Sequence, residues 1–186
     1  AHRDAEYFVG FARGDMGPEF YAALPKPKLI QLISAGYDRL DVAAAKQAGV
    51  PVANNGGANS TAVAEHTWLL ILSVLKRLAW QHNNVVAGKW RIGDLAENRL
   101  YEVEGKTLGI VGLGTIGKKV ARLAKAFGMV VHYYDIKRLK EEEEDALGVR
   151  FRLLPEILRH SDIVSLHVPL NASTQGMLGA QELAAM

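Results

Sequence analysis

The chain contains no cysteine among its 186 residues. That excludes disulfides and thiolate metal sites, and it fits a reducing, cytoplasmic setting. It also lacks an excess of charge of either sign: 22 Lys and Arg face 20 Asp and Glu, for a net charge of +2. With no Lys/Arg-rich run either, nothing favours nucleic acid as a partner. Aromatic residues make up only 8% of the chain, so aromatic stripes do not mark its elements. No apolar run is long enough for a membrane span, which takes ~20 residues. The most apolar stretch, 67–75, is bounded by Glu65 and His66 on one side and Lys76 and Arg77 on the other. No signal-peptide pattern, internal repeat or low-complexity segment is visible. No His pair has metal-ligand spacing supported by a third ligand, and no Ser sits in a nucleophile-elbow pattern.

What is present concentrates at 107–135, TLGIVGLGTIGKKVARLAKAFGMVVHYYD. A short apolar strand runs into Gly112-Leu113-Gly114-Thr115-Ile116-Gly117, a helix follows, and a second strand ends on Asp135. Each part of such a βαβ unit has a physical task. Gly112 permits a tight turn, Gly114 leaves the backbone open to a pyrophosphate, and Gly117 lets the helix pack close to the strand. The helix N-terminus offers free N–H groups and about half a positive charge to phosphates. Ile116, Val120, Leu123 and Phe127 recur at helical spacing and form the expected buried stripe, and Gly128 stops the helix. Asp135 lies 18 residues beyond Gly117, where a carboxylate accepts hydrogen bonds from an adenosine ribose. It suits the 2′-OH of NAD and repels the 2′-phosphate of NADP. Lys137 and Arg138 follow it and read as ordinary surface charge. NAD is therefore the expected cofactor.

The rest of the chain alternates strands and helices, an α/β pattern. Strands are expected near 7–11, 29–34, 50–53, 149–152 and 163–167, with helices near 41–48, 138–147 and 155–160. The acidic run 141–145 reads as a solvated helix face. A polar glycine loop at 54–60 precedes a helix expected over about 61–87, capped by Asn59 or Ser60 and ended by Gly88. Its apolar girth at Trp68, Leu69, Leu70, Ile71 and Leu72 suggests burial between lobes or subunits. The stretch 89–106 reads as irregular, and Pro169 as a turn. Among the histidines, His66 reads as buried or at an interface, His82 and His160 as helix-surface residues, and His132 as mid-strand.

Five segments together resemble the D-isomer-specific 2-hydroxyacid dehydrogenases: SAGYDRLD (34–41), GVPVANNGGANSTAVAEH (49–66), GKW (88–90), GKTLGIVGLGTIG (105–117) and DIVSLHVPLNAST (162–174). The resemblance implies a Rossmann-type NAD-binding domain, 59–186, opened by the long 61–87 helix, and a partial flavodoxin-like substrate domain, 1–58. It implies a cleft in which Ala35, Gly36, Gly56, Gly57 and Ala58 meet a small 2-hydroxy or 2-keto acid, with backbone N–H groups reaching its carboxylate. Asn55, Gly112, Gly114, Thr115, Ile116, Gly117, Asp135, His167, Val168, Pro169 and Thr174 would hold the cofactor. It further implies a homodimer. The family's substrate-binding Arg, its acid–base His and the acidic residue orienting that His match no position in this chain, which is therefore expected to be a piece of an enzyme. A different function class shares the fold: an NAD-sensing, co-repressor-like binding protein that carries no catalysis.

Overall fold

The computed structural model describes residues 5–14, 16–24, 27–90 and 99–186. Part of the 89–106 stretch and His2 lie outside them. By internal contacts the chain divides into two compact units, 1–59 with 169–175, and 60–168 with 176–186. The segment carrying Pro169 and Thr174 thus groups with the first unit.

The first unit is a parallel sheet of order β1-β2-β3, made of β1 (Tyr7–Gly10), β2 (Leu29–Leu32) and β3 (Val52–Ala53), with α1 (Pro18–Ala22) and α2 (Val42–Gln47). Ile30 and Leu32 are fully buried on β2, against Met16, Tyr21, Ala44, Ala45 and Val50. Asp41 starts α2 by accepting a hydrogen bond from Ala44 N–H at 2.8 Å, and Gly49 follows the helix in the left-handed region at φ 69°. α1 escapes the periodicity because it is one turn long; Pro18, at its first position, is its local signal.

The second unit holds α3 (Ser60–Leu75), α4 (Leu78–Val86), β4 (Thr107–Val111), α5 (Thr115–Ala126), β5 (Val130–Tyr134), α6 (Glu141–Leu147), β6 (Val149–Phe151), α7 (Leu154–His160), β7 (Ile163–Leu166) and α8 (Ala180–Ala184). Its four strands are parallel in the order β6-β5-β4-β7. Leu108, Ile110 and Val111 of β4 are fully buried, as a strand covered on both faces requires. Val111 pairs with Tyr134 on one side and Leu166 on the other, so the strands of this trio end level.

Two expectations are corrected here. The helix expected over about 61–87 is broken at Arg77, which adopts φ 50°, ψ 45°. No Gly or Pro marks the break. Instead, carbonyls at the break find other donors: Tyr101 N–H reaches Leu75 O, the last of α3, at 3.1 Å, and the Gln81 side chain bonds Lys76 O in the turn that follows. The buried stripe of α5 is also rotated from the one read in the sequence. Gly117, Val120, Ala121 and Ala124 are the buried face, whereas Leu123 and Phe127 are partly exposed. Small residues allow the helix to lie close on the sheet, and Phe127 stacks on Trp68 of α3 with ring centroids 4.6 Å apart.

Candidate functional site

The 112–117 loop joins β4 to α5 at the carboxyl end of the sheet. Gly112 has φ 94°, and a Cβ there would lie 2.8 Å from the His167 carbonyl and 2.9 Å from Val168 Cγ1. Its own N–H donates to Tyr134 O at 2.8 Å. A Cβ on Gly117 would sit 2.2 Å from Gly112 O, so the helix start is pressed against the turn. Gly114 differs: a Cβ there would meet nothing within 4 Å, and Gly114 and Thr115 are exposed. The loop is therefore tight on its protein side and open on its outer face. The first N–H groups of α5, on Thr115, Ile116 and Gly117, have no intrahelical acceptor. An open, glycine-lined helix start of this kind fits a dinucleotide pyrophosphate.

Asp135 follows β5, the strand beside β4. One carboxylate oxygen accepts from Leu113 N–H at 2.7 Å and the other from Lys137 N–H at 2.9 Å. The residue thus ties the end of β5 to the glycine loop, a structural bond not legible in the fingerprint. Each oxygen keeps a lone pair for a ribose hydroxyl. Ile136, next in the chain, is 97% exposed, an unusual position for isoleucine that motif spacing does not single out.

His167 and Val168 follow β7 on the other side of β4. His167 N–H donates to Val111 O at 2.7 Å, and its Nε2 lies 2.9 Å from Ser165 Oγ. Burial holds the His167 imidazole below the usual histidine range, and the ring sits just past the end of β7 against Ser165. The chain leaves β4 toward β5 and β6 on one side and returns through α7 to β7 on the other. Strand order reverses at β4, and the crevice beyond such a point is where open α/β sheets bind ligands. Gly112, Gly114, Thr115, Ile116, Gly117, Asp135, His167 and Val168 are brought together there.

The remaining predicted residues belong to the first unit. Asn55 N–H donates to Ser34 O at 3.0 Å and the Asn54 side chain donates to Ala35 O at 2.8 Å, which joins the 54–58 loop to the 34–36 turn. Ala35, Gly36, Gly56, Gly57 and Ala58 thereby cluster at the carboxyl ends of β2 and β3. Gly57 has φ 88°, while Asn55 is not left-handed. Ala58 N–H leans on Asn55 O at 3.4 Å, and among the described residues the Gly56 and Gly57 N–H groups have no acceptor. A cavity of about 320 Å³ next to the 34–36 turn is lined by Phe11, Ala12, Ser34, Gly36, Asp38 and Arg39. Pro169 and Thr174 share one loop, in which the Thr174 hydroxyl donates to Pro169 O and accepts from Asn171 N–H.

Two further readings change. Glu144, expected in a solvated acidic face, is only 3% exposed and accepts from Tyr133 Oη at 3.0 Å and Arg138 Nε at 3.3 Å. His66 is exposed, which removes the buried alternative of its reading and leaves the interface one open. Among the described residues there is no cluster able to hold a metal ion, and no helix is long and apolar enough to cross a membrane.

Similarity to known proteins agrees with this geometry. The chain is 37% identical over 185 residues to a glyoxylate reductase of Korarchaeum cryptofilum, covering 99% of this chain and 55% of that protein. It is 39% identical over 188 residues to a glyoxylate reductase of Aeropyrum pernix, covering 99% and 56%. The crystal structure of D-lactate dehydrogenase from Aquifex aeolicus, complexed with NAD and lactic acid, superposes with a TM-score of 0.88 at 33% identity, covering 99% of this chain and 54% of that one. The chain thus spans about half the length of the relatives it matches. Residues 68–186 match the model of the D-isomer-specific 2-hydroxyacid dehydrogenase NAD-binding domain. The chain belongs to the D-isomer-specific 2-hydroxyacid dehydrogenase family and carries its NAD-binding domain.

Proposed function

We propose that the protein is an NAD-dependent oxidoreductase that interconverts a small 2-hydroxy acid and its 2-keto acid. One observation carries the reading: the open glycine loop, the Asp135 carboxylate and the 167–168 segment converge where the strand order reverses. The N–H groups of Thr115, Ile116 and Gly117 bind the pyrophosphate, with Gly112 and Gly114 keeping the loop turned and open. Asp135 accepts the adenosine ribose hydroxyls, and the exposed Ile136 offers an apolar surface to the adenine. His167 and Val168 wall the same end. The family resemblance assigns Asn55, Pro169 and Thr174, all in the first unit, to the cofactor as well. When bound, NAD exchanges a hydride with the carbon bearing the substrate hydroxyl.

The substrate carboxylate is received by the loops of the first unit, at Ala35, Gly36, Gly56, Gly57 and Ala58. The unpaired N–H groups of Gly56 and Gly57 support this, because paired backbone donors cannot bind an anion. The glyoxylate and lactate named for the relatives mark the size of acid expected. The proposal extends to a cytoplasmic homodimer.

The test is a titration of the full-length protein with NADH and NADPH by fluorescence, followed by NADH oxidation assays on glyoxylate, pyruvate and hydroxypyruvate. Preferential NADH binding with turnover of one of these acids is expected. Equal affinity for the two cofactors would refute the role of Asp135. Tight NADH binding without turnover of any 2-keto acid would leave an NAD-sensing binding protein in place of the enzyme.

A further inference from the structure

We propose that Glu144 is a specificity-determining residue: its buried carboxylate holds Arg138 away from the ribose-binding Asp135 and so maintains the preference for NAD over NADP. The proposal rests on the reading that Asp135 receives the adenosine ribose.

An arginine close to this carboxylate position is the group that ordinarily accommodates a 2′-phosphate. Its planar fork matches phosphate geometry better than a lysine does. Arg138, three residues beyond Asp135, is such an arginine. Its contacts point it elsewhere. Its Nε lies 3.3 Å from Glu144 Oε1, and its guanidinium carbon lies 5.2 Å from the ring centre of Phe151. Phe151 is on β6, and the sheet order is β6-β5-β4-β7. Arg138 is therefore anchored on the side of β5 away from β4, while Asp135 bonds Leu113 on the β4 side, where the phosphate loop lies.

The anchor is built rather than incidental. Glu144 is buried on α6, and a buried carboxylate needs charged or hydrogen-bonded partners. Tyr133 Oη supplies one hydrogen bond to it at 3.0 Å and itself accepts from Leu139 N–H at 2.8 Å. Tyr133 is fully buried and packs edge-on to Phe151 with ring centres 5.6 Å apart. The loop between Asp135 and α6 is thus fastened at Arg138 and Leu139 to one buried cluster. A freed Arg138 would lose its charged partner and become available to the 2′-phosphate.

The experiment measures dissociation constants of NADH and NADPH for the full-length protein and its Glu144→Gln, Arg138→Ala and doubly substituted variants. The Glu144→Gln change keeps the shape and an acceptor for Tyr133 while removing the charge that holds Arg138. The unmutated protein should prefer NADH, and Arg138→Ala should leave NADPH binding unchanged. Glu144→Gln should tighten NADPH roughly tenfold relative to NADH, as expected of one charge-assisted phosphate contact. The double variant should lose that gain. An unchanged cofactor ratio in Glu144→Gln, equal weakening of both cofactors, or a gain that survives removal of Arg138 would each overturn the proposal. So would weaker NADPH binding on Arg138→Ala alone. If Glu144→Gln does not fold, Phe151→Leu, which keeps an apolar side chain against Tyr133 while removing the ring under Arg138, should shift the ratio the same way; no shift overturns the proposal. Equal affinities in the unmutated protein would instead defeat the reading of Asp135 itself, whereas NADH preference without a shift in the variants defeats only Glu144.

Discussion

At the scale of single residues, the glycines of the loop differ in what they tolerate. Gly117 has no room for even a methyl group, since a Cβ would lie 2.2 Å from the Gly112 carbonyl oxygen. Gly117→Ala should destabilise the fold by about 1–3 kcal/mol or more, the usual range for overpacking, as read by urea denaturation. Gly114→Ala meets open space, so it should leave stability nearly intact and weaken NADH binding instead. A pair of variants that lose stability equally would contradict this division. The histidines give a pH dependence. His132 is held below the usual range by burial first, then by Arg152 and His160, with Glu156 opposing; His167 is held down by burial. Both are neutral in the folded and unfolded chain above about pH 6.5. As pH falls through that value the unfolded chain takes up protons that the folded chain refuses, so stability should decline until the lower folded-state pKa values are passed. Asp162, held below the usual carboxylate range mainly by Thr107 N–H, loses its contribution only at lower pH. Denaturation midpoints measured between pH 7.5 and 5 should fall, and His167→Gln should flatten the slope. A slope unchanged in His132→Gln and His167→Gln variants would assign it elsewhere.

At the scale of elements, the fingerprint is legible in the sequence because its residues act locally. Gly112 needs a left-handed turn and Gly117 a close contact, and spacing alone reveals both. The α5 stripe misleads because the sheet-facing side is made of Gly117, Ala121 and Ala124, which carry little hydrophobic signal. The break at Arg77 is invisible in the sequence because donors beyond the helix end, Tyr101 and Gln81, terminate α3. Burial of Glu144 is hidden inside an acidic run, since only tertiary packing separates it from Glu141, Glu142 and Glu143. In the candidate site, motif spacing finds the glycines and Asp135; it does not find Ile136, because exposure of an apolar residue is a property of the fold. The apolar girth of α3 is resolved in part by packing. Ala64 and Trp68 are buried, with Ile71, Leu72 and Leu75 against the core, but Leu69, Leu70 and Val74 are exposed at 53%, 54% and 74%. With a homodimer expected, this exposed face is the candidate interface. Leu70→Lys with Val74→Glu should shift light scattering of the full-length protein from dimer to monomer without loss of helicity. A dimer that persists in the double variant would place the interface elsewhere.

At the scale of the whole molecule, binding and chemistry should separate. The segments proposed to grip the dinucleotide lie within residues 1–186, and the NAD-binding domain model matches most of them. No group of this chain is expected to perform the proton transfer. Among the described residues, His66, His82 and His160 are exposed, and His132 lies on a strand facing Arg152 and Glu156. His167 follows β7 beside the crevice, but its ring is engaged by Ser165 and burial holds its pKa below the usual histidine range. General acid–base help contributes about 10²–10⁴-fold, and stabilisation of the developing oxyanion by one donor contributes roughly 10²–10³-fold. A polypeptide of residues 1–186 should therefore bind NADH weakly through the loop and Asp135, yet reduce glyoxylate or pyruvate no faster than background. NADH absorbance followed over hours, beside a fluorescence titration of the same preparation, separates the two properties. Clear turnover that vanishes in His167→Gln would reassign His167 from a held strand-end residue to the proton donor. Turnover lost only in His66→Gln would do the same for the exposed histidine of α3.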